Sequence, residues 1–524
     1  MPSQTLFLLL DVVGIAVAVV LLRRWFKRSG ATDLPLPPGP KGMPIIGNLL
    51  DMPPHHEWLQ FTEWGDKFGD LVYLRLLSQP VLILNTASHA TALLHKKSSI
   101  YSDRPSFIMA GELIGWKRTL GLTPYGERFR EYRRFIHRLI GGKEQMRRFH
   151  SLEYEETKRF VGRVLRRPEG LAGHIRKTAG AIILRLSHGY TVHPSGSDAI
   201  VDLVDLATEQ FSLATSPGAY LVDVFPLLRY VPRWVPGARF QRTAREWRDT
   251  LEEMAEVPHA MVKRNMRENR NVPNYTSELL ENEKMSAQKE FNIKWSAASL
   301  YSGGADTTVS AIRTFFLAMS LHPSAQQRAQ AELDAVVGPD RLPTFEDREQ
   351  LPYVDAIVKE VCRWGPVVPL GIPHRLQEED VHEGYRIPKG TIVIPNIWKM
   401  LHDPTTYTDP FTFEPARFLP SSSGSNKNNA QGEPGIMDPR DVCFGFGRRI
   451  CPGLHLADAS LFITIAMTLA TLDVSDPVGA DGRPLGGQVG YTSGTISHPE
   501  EFACTIKPRS AKAEALVFAD AEEA

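Results

Sequence analysis

The sequence predicts an α+β protein that is mainly helical and has a small β-rich lobe. Helix-like apolar patterns run from Trp295 to Leu321 and from Leu454 to Leu472. The region from Arg159 to Leu280 also has a mostly helical pattern. Two short runs, Leu71–Leu76 and Pro80–Leu84, have the length and composition of strands and would pair as a hairpin that begins a small sheet.

Charge and cysteine content exclude several kinds of protein. The 524 residues include 60 Lys+Arg and 60 Asp+Glu, so no net electrostatic field would attract nucleic acid. The cysteines Cys362, Cys443, Cys451 and Cys504 are too few for a disulfide framework, which favours a reducing compartment. This length suggests about three domains, but no linker divides the chain, so we expect one large domain and an anchor.

Residues 1–28 are predicted to form an N-terminal transmembrane anchor. The run from Leu6 to Leu22 is apolar except for Asp11, and its length is near the lower limit for a membrane-spanning helix. Arg23 and Arg24 follow the run, and positive charge on this flank places the rest of the chain in the cytosol. We therefore expect a single-pass anchor in the endoplasmic reticulum membrane.

Residues 29–48 are predicted to form a proline-rich hinge after the anchor. Prolines in the run Leu36–Pro40 fix φ and prevent helix formation, so the hinge should be stiff and extended. The globular domain is then expected over residues 49–509. The Ala- and acid-rich residues 510–524 are predicted to be a frayed tail, and Ser421–Pro434 a flexible polar loop.

The stretch from Phe444 to Gly453 has the composition of a metal-binding loop. A thiolate such as that of Cys451 is a strong, soft ligand for iron. Gly445 and Gly447 allow a tight backbone whose N–H groups can point at the sulfur, and Arg449 could reach a carboxylate of a cofactor. By itself, a cysteine in an intracellular chain is more often a small buried apolar residue, so the surrounding pattern decides.

The pattern Phe-x-x-Gly-x-Arg-x-Cys-x-Gly in this stretch resembles the haem-binding loop of the cytochrome P-450 monooxygenases, fungal microsomal members in particular. The resemblance implies haem b (iron protoporphyrin IX), with Cys451 as the axial iron ligand. Phe444, Arg449 and Gly453 would belong to the cofactor-binding loop. It also implies a mainly helical globule in which haem lies between two long helices beside the small β-rich lobe.

The helical pattern Trp295–Leu321 is interrupted by the glycine-rich turn Gly303–Thr308. Two glycines within a helix cost about 1 kcal/mol each relative to alanine, so a simple helix break is one interpretation. The turn also resembles the family motif Ala/Gly-Gly-x-Asp/Glu-Thr-Thr. That resemblance implies a distorted turn that makes room for oxygen, with Asp306 and Thr307 as catalytic residues that carry protons.

The arginine-rich helix Gly126–Ile140 is, on composition alone, a solvated charged face. In the family, the matching helix has a tryptophan and, four residues later, an arginine, both bonded to a haem propionate. This chain has Phe129 at the first position and retains Arg133, so the indole donor is absent. The family also places a propionate contact near His374, with Arg375 as the competing candidate.

A predicted helix, Pro352–Trp364, carries Glu360 and Arg363 on one face, where they can pair. Such pairs usually lie on the surface and contribute little to stability. The two residues resemble the Glu-x-x-Arg motif of the family, a structural pair with Arg417 as its third member. Ala416 replaces the glutamate that usually precedes this arginine, a difference expected to affect packing more than chemistry.

The resemblance implies a monooxygenase that inserts one oxygen atom of O2 into a hydrophobic small molecule. Candidate substrates are terpenoids, steroids, polycyclic aromatics and other secondary metabolites or xenobiotics. The sequence has no flavin or nicotinamide motif, so electrons are expected from NADPH–cytochrome P-450 reductase, with cytochrome b5 as a second donor. Arg134, Arg138 and Arg448 are the candidate docking charges for such a partner.

Four segments are expected to line the substrate pocket because they are largely apolar and aromatic. They are Ser102–Leu122, Leu206–Tyr230, Val367–Ile372 and Gly490–Ile496. Two alternative functions remain open. A haem-thiolate isomerase or dehydratase is disfavoured by the intact Asp306-Thr307 pair, and a non-enzymatic haem sensor by the lack of a signalling module.

Overall fold

The computed structural model describes residues 34–193, 196–216, 218–282, 284–419, 436–477 and 489–519, and it confirms a mainly helical α+β protein. The helices of eight or more residues are α1 (Glu57–Phe68), α2 (Glu127–Ile140), α3 (His150–Arg166), α4 (Leu171–His188), α5 (Ala199–Thr215), α6 (Arg239–Arg267), α7 (Tyr275–Asn282), α8 (Ala287–Leu321), α9 (Pro323–Val336), α10 (Pro352–Trp364), α11 (Leu454–Thr471) and α12 (Ala511–Phe518). The strands are β1 (Leu71–Leu76), β2 (Gln79–Leu84), β3 (His374–Arg375), β4 (Asp380–His382), β5 (Tyr385–Ile387), β6 (Ile392–Pro395), β7 (Leu472–Ser475) and β8 (Thr505–Pro508).

Shorter helical segments connect these elements. The α-helical ones are Ala87–Ala90, Ser98–Tyr101, Lys143–Met146, Leu221–Val224, Ile397–Leu401 and Arg440–Cys443. Single turns of 3-10 helix and two π-helical segments, Thr91–Lys96 and Ile108–Ile114, also occur, and the 3-10 turn Gly447–Arg449 lies just before Cys451.

Helix α8 is the central element of the helical part. Its buried residues come from all sides of the helix, as expected for a helix surrounded by protein. Helix α4 packs along it most extensively, and α11 lies among α3, α8, α9 and α10. Within the described residues, α11 is long and apolar enough to span a membrane, but 72% of it is buried as a core helix.

The β lobe is built around a four-stranded sheet in the order β1-β2-β6-β3. Strands β1 and β2 form the predicted antiparallel hairpin, with Leu71 opposite Leu84. Strand β6 then pairs parallel with β2 and antiparallel with β3, which sets His374 opposite Val393. The sheet thereby brings β3 beside the helical part, and β4–β5 and β7–β8 form separate antiparallel pairs.

Helix α8 is continuous through its glycine-rich turn, so the predicted interruption of the helix is wrong, and the distorted turn stays a prediction. The hydroxyl of Thr307 donates to the carbonyl of Gly303, and that of Thr308 donates to Gly304, each at 2.8 Å. These bonds follow the i to i−4 spacing of the helix, a pattern that often bends a helix without interrupting it. A Cβ on Gly304 would lie only 2.9 Å from a side-chain atom of α4, so this glycine allows close helix packing.

The C-terminal segment is ordered as helix α12, so the predicted frayed tail is wrong for Ala511–Phe518. Ser510 caps this helix, because its hydroxyl accepts the N–H of Ala513 at 3.1 Å. Ala513 and Val517 are buried, and the helix packs on α3. The Ala- and acid-rich composition conceals this apolar face.

Two other predicted segments lie wholly outside the described residues: the anchor, 1–28, and the loop Ser421–Pro434. The described part of the predicted hinge contains no α-helix and is bound to the β lobe. The carbonyl of Pro35 accepts the N–H of Arg386, and that of Pro38 accepts the N–H of Tyr73, each at 2.8 Å.

Candidate active site

An internal cavity of about 350 Å³ lies between helix α8 and the loop that carries Cys451. Its walls come from α2, α4, α5, α8, the start of α11 and the β lobe. All four segments predicted to line a pocket contribute, with Leu120, Phe211, Ile372 and Ile496 as examples. The predicted site residues in the wall are Phe129, Arg133, Thr307, His374, Phe444, Arg449, Cys451 and Gly453.

The loop before α11 holds Cys451 by a backbone hydrogen bond and two glycines. The Cys451 N–H donates to the carbonyl of Phe444 at 2.8 Å. Gly445 has φ 77° and Gly447 has φ 57°, a left-handed conformation that glycine adopts without steric cost. A Cβ on Gly447 would also lie 2.1 Å from the carbonyl oxygen of Leu94, so this close approach requires glycine.

The thiol of Cys451 lies deep in the protein and faces the cavity. Burial raises the pKa of this thiol, whereas a hydrogen bond from the Gly453 backbone and the charge of Arg133 act in the opposite direction. The guanidinium of Arg133 is fixed nearby, because its Nη1 donates to the carbonyl of Ile450 at 2.6 Å. An N–H donor, a positive charge and a soft sulfur donor together suit a thiolate bound to iron.

Three arginines in the cavity wall, Arg104, Arg133 and Arg449, have no carboxylate within 4 Å among the described residues. Burial lowers the pKa of Arg449 to about 9; the charge of Asp103 opposes this shift, and that of Arg133 adds to it. Buried positive charge without a counter-ion is costly. The wall therefore suits an anionic group, and the two carboxylates of haem fit this requirement.

Backbone carbonyls hold two of these arginines in place. Nη1 of Arg104 donates to the carbonyls of Ile372 and Pro373 at 2.6 and 2.8 Å. Arg449 donates through Nε to Ser102, at 2.7 Å, and through Nη2 to a second carbonyl, that of Thr123, at 2.8 Å. Sequence reasoning missed Arg104, although a charged residue within an otherwise apolar wall segment is a signal that could have found it.

His374 and Arg375 differ in their surroundings. His374 is buried in the cavity wall, and its Nδ1–H donates to the carbonyl of Tyr101 at 2.7 Å. Burial lowers the pKa of His374 well below its ordinary value, and the charge of Arg104 acts in the same direction. Arg375 is not part of the wall, and its guanidinium lies 4.0 Å from Asp103.

Phe129 occupies the place of the family tryptophan and supports an arginine. Its ring is buried in the cavity wall, and the guanidinium carbon of Arg449 lies 3.9 Å from the ring centroid. This distance is within the range of cation–π attraction. Phe129 therefore helps to position Arg449, although it has no hydrogen-bond donor of its own.

Asp306 lies beside the cavity-lining residue Thr307 but is not itself part of the wall. Its Oδ1 is 3.1 Å from Nε2 of His498, and both side chains are largely buried. A Cβ on Gly303 would meet nothing within 4 Å, so the helix surface here is open to the cavity. Sequence reasoning missed His498, because no motif or periodicity connects it with α8.

Glu360, Arg363 and Arg417 form a buried group apart from the cavity. Glu360 accepts two hydrogen bonds from Arg363, at 2.7 and 2.8 Å, and one from Arg417 at 3.3 Å. The side chains of Glu360 and Arg363 are fully buried, unlike those of an ordinary surface pair. Arg363 also donates to the carbonyls of Leu401 and Pro410, so the group connects α10 to the segment that leads to the cysteine loop.

Residues 37–498 match the family model described as cytochrome P-450. Among curated proteins, the chain is similar to cytochrome P-450 monooxygenase 208 of Postia placenta, with 52% identity over 98% of this chain and 98% of that protein. It is 46% identical to cytochrome P-450 monooxygenase claR of Ampulloclitocybe clavipes, over 92% of this chain and 88% of that protein. It is 41% identical to cytochrome P-450 monooxygenase ppsD of Aspergillus oryzae, over 95% and 93%.

Proposed function

The chain belongs to the cytochrome P-450 family and is a monooxygenase, and from this premise we propose that it oxidises a neutral, hydrophobic small molecule with O2 and with electrons from an NADPH-dependent reductase. One observation carries the proposal. The thiol of Cys451 faces a largely apolar cavity whose wall also holds buried arginines without counter-ions.

The residues that would hold haem b are those of the cavity wall. Cys451 would be the axial ligand, and Arg104, Arg133, His374 and Arg449 would bind the two propionates, replacing solvent as their counter-charges. Phe444 and Gly453 would shape the loop around the sulfur; a Cβ on Gly453 would lie 3.9 Å from Sγ. When bound, haem supplies a redox-active iron at which molecular oxygen is activated.

The substrate pocket is proposed to be the α8 side of the cavity. The rings of Trp116 and Phe211 lie there with centroids 4.7 Å apart, and Ile182, Ile183 and Leu120 add aliphatic surface. No acidic residue occurs in the described part of the wall. A cationic substrate group would lose its hydration without gaining a partner, and the arginines of the wall are proposed to be occupied by the haem propionates, so a neutral apolar compound such as a terpenoid, steroid or polycyclic aromatic fits best.

Asp306 and Thr307 are proposed to supply protons at the cavity. Thr307 lines the cavity and donates its hydroxyl hydrogen to the carbonyl of Gly303, so its oxygen can accept a hydrogen bond. It would donate to a group in the cavity after it releases that carbonyl. Asp306 holds a carboxylate next to it, paired with His498. This pair can exchange a proton between the protein exterior and the Thr307 hydroxyl.

Electrons are proposed to come from NADPH–cytochrome P-450 reductase, with cytochrome b5 as a second donor. Arg134 and Arg448 are exposed and could meet an acidic partner surface. The anchor proposed for residues 1–28 would hold the catalytic domain on the cytosolic side of the endoplasmic reticulum membrane. Such a position would deliver hydrophobic substrates from the bilayer.

The spectrum of the reduced carbon monoxide complex tests the assignment of the ligand. We expect the wild type to have the long-wavelength Soret band of a thiolate-bound haem, and Cys451→Ser to lose it. Cys504→Ser is the matched control, because Cys504 lies outside the cavity wall, and it should keep the band. A band that survives in Cys451→Ser would refute the proposed ligand.

Turnover with the reductase and a panel of hydrophobic compounds tests the reaction. We expect products with one added oxygen atom, detected by mass spectrometry, that need NADPH and acquire label from isotopic O2. Products formed without NADPH would instead favour a haem-thiolate isomerase or dehydratase.

A further inference from the structure

We propose that His89, His382 and Glu383 form a binding site for a divalent transition-metal ion, in the β lobe and separate from the haem cavity. His89 lies on the short helix after β2, His382 ends β4, and Glu383 begins the turn to β5. One nitrogen or oxygen atom from each side chain lies within 4.8 Å of the other two. This His-His-Glu cluster is the only such group among the described residues.

The distances within the cluster are close to those around a metal ion. Nδ1 of His89 is 3.0 Å from Nε2 of His382 and 3.7 Å from Oε1 of Glu383. Two ligand atoms that each lie about 2.0–2.1 Å from a tetrahedral zinc ion are about 3.4 Å apart. The two observed distances lie on either side of this value, so an ion could enter after shifts of a few tenths of an ångström.

The two imidazoles of the cluster are suited to bind a cation. Their rings meet nitrogen to nitrogen at 83°, so one proton is shared between His89 and His382. A metal ion would replace the shared proton and use both nitrogen lone pairs.

The charged groups around the cluster do not oppose a cation. Lys97 is a positive charge that acts on His382, but its Nζ is paired with Asp380, whose two oxygens lie 2.7 and 2.9 Å away. The same Nζ also donates to the carbonyl of Val381 at 3.0 Å. Glu383 adds a negative charge on the solvent side, where its side chain is 59% exposed and gives an ion access.

The turn between β4 and β5 determines the backbone conformation of Glu383. Glu383 has φ 50° and Gly384 has φ 79°, and they form the two-residue turn between the paired residues His382 and Tyr385. Such turns strongly prefer Asn, Asp or Gly at the first position, so glutamate is unfavourable there. The turn fixes Glu383 directly after His382, so both residues approach His89 from one hairpin.

The ligand types define the class of metal. Two imidazoles and one carboxylate suit Zn²⁺, Co²⁺, Ni²⁺ or Cu²⁺, whereas Mg²⁺ and Ca²⁺ prefer oxygen ligands. Three protein ligands would leave a fourth position for water. Bound metal would connect the short helix after β2 to the β4–β5 hairpin and so stabilise the β lobe.

Calorimetric titration of the tag-free holoprotein with Zn²⁺ tests this proposal. We expect one equivalent to bind and the melting temperature to rise, with no effect of Mg²⁺. His89→Ala and His382→Ala should each weaken Zn²⁺ binding more than tenfold, and Glu383→Gln to a smaller extent. His95→Ala is the matched control, because His95 is an exposed neighbour outside the cluster, and it should bind like the wild type.

The haem spectrum of each variant reports whether it is folded. Glu383 is largely exposed, so Glu383→Gln keeps the test decisive if a histidine variant fails to fold. Weaker Zn²⁺ binding in the folded cluster variants than in the wild type would support the site. No saturable binding to the wild type, or equal binding by the wild type and all folded cluster variants, would overturn it.

Discussion

Oδ1 of Asp306 lies 3.1 Å from Nε2 of His498, and this contact joins helix α8 to the segment that follows residue 489. The segment is held along the helix on either side of the contact. Ser310 donates its hydroxyl to the carbonyl of Ser497 at 2.5 Å, and Arg313 donates to a second carbonyl nearby at 3.3 Å. His498 is therefore positioned by the fold to orient the Asp306 carboxylate.

The first prediction is that His498→Ala slows turnover. The Asp306 carboxylate would lose its partner and its fixed orientation, and proton transfer to Thr307 would become less efficient. Proton-transfer groups contribute about 10²–10⁴-fold, so a residue that acts through one should contribute about tenfold. The measurement is kcat as a function of pH, and the shape of this profile should change as well as its height.

Two further variants control for structural effects of this substitution. His498→Gln keeps a hydrogen-bond donor and should recover part of the rate, whereas the exposed His55→Ala should have no effect. An unchanged pH profile in His498→Ala, with the haem spectrum intact, would mean that the contact is only structural.

The second prediction concerns coupling, and it compares adjacent threonines. Thr307→Ala removes the hydroxyl proposed to deliver protons, so product per NADPH should fall and hydrogen peroxide release should rise. Thr308→Ala removes an equivalent hydroxyl, bonded to the next carbonyl of the helix at the same 2.8 Å. It should change coupling much less, because the proposed proton path runs through Thr307 and not through Thr308.

Product, NADPH consumption and peroxide are measured together for both threonine variants. Both should keep the thiolate spectrum, since neither residue contacts the cysteine loop through a hydrogen bond. Equal coupling in Thr307→Ala and the wild type would show that protons arrive by another route.

The main helices and the thiolate loop could be predicted because their signals are local. Helix α10 is observed with its predicted bounds, Pro352–Trp364, and the predicted helix Gly126–Ile140 is observed as Glu127–Ile140. The residue types around Cys451 likewise identify the loop within ten positions. Helix bounds follow from hydrophobic periodicity, and the Cys451 loop follows from motif spacing, so neither prediction needs the tertiary structure.

The features that the sequence could not predict depend on contacts between distant segments. His498 meets Asp306 only because the last described segment lies along α8. The continuity of α8 accompanies close packing of its glycine-rich turn against α4, whereas helix propensity counts only the cost of the glycines. Arg104 and Arg449 lie in separate segments that were each predicted to belong to the site. Only the tertiary structure brings the two residues close enough to interact electrostatically.

The third prediction is that Glu360→Gln strongly destabilises the protein. Arg363 and Arg417 would be left as buried charges without their carboxylate, and removal of one partner of a buried ion pair costs about 3–5 kcal/mol. Thermal unfolding and haem retention should both show the loss. Asp340→Asn breaks the exposed pair with Lys512 and should change stability by less than about 1 kcal/mol. Similar effects of the two substitutions would contradict a structural role for the buried group.

The fourth prediction concerns Glu153, a fully buried residue of α3 behind the cavity wall. Its Oε1 accepts the hydroxyl of the wall residue Ser460 at 2.6 Å, whereas Oε2 has no hydrogen-bond partner in the described part of the chain. Burial raises the pKa of Glu153 to about 8 from 4.5, and the charge of Asp458 acts in the same direction. The folded protein therefore keeps this carboxyl protonated at neutral pH.

The raised pKa makes stability fall as pH increases. Between the two pKa values the unfolded chain releases the Glu153 proton and the folded chain keeps it, so higher pH favours unfolding. The slope from this one group is at most about 1.4 kcal/mol per pH unit, and it disappears above the folded pKa. Glu153→Gln keeps the shape of the side chain and removes the titration. The free energy of unfolding of the variant should rise relative to that of the wild type from about pH 5 to pH 8, and the difference should then stay constant.

Melting temperatures of the wild type and Glu153→Gln across this pH range give the measurement. Glu155→Gln is the matched control, because Glu155 is exposed on the same helix, and its curve should run parallel to that of the wild type. The difference in melting temperature between Glu153→Gln and the wild type should therefore grow with pH, whereas the difference between Glu155→Gln and the wild type should stay constant. If the melting-temperature differences of both variants from the wild type stay constant across the range, Glu153 has its ordinary pKa in the folded protein. Solvent would then reach the carboxylate, or α3 would move to expose it.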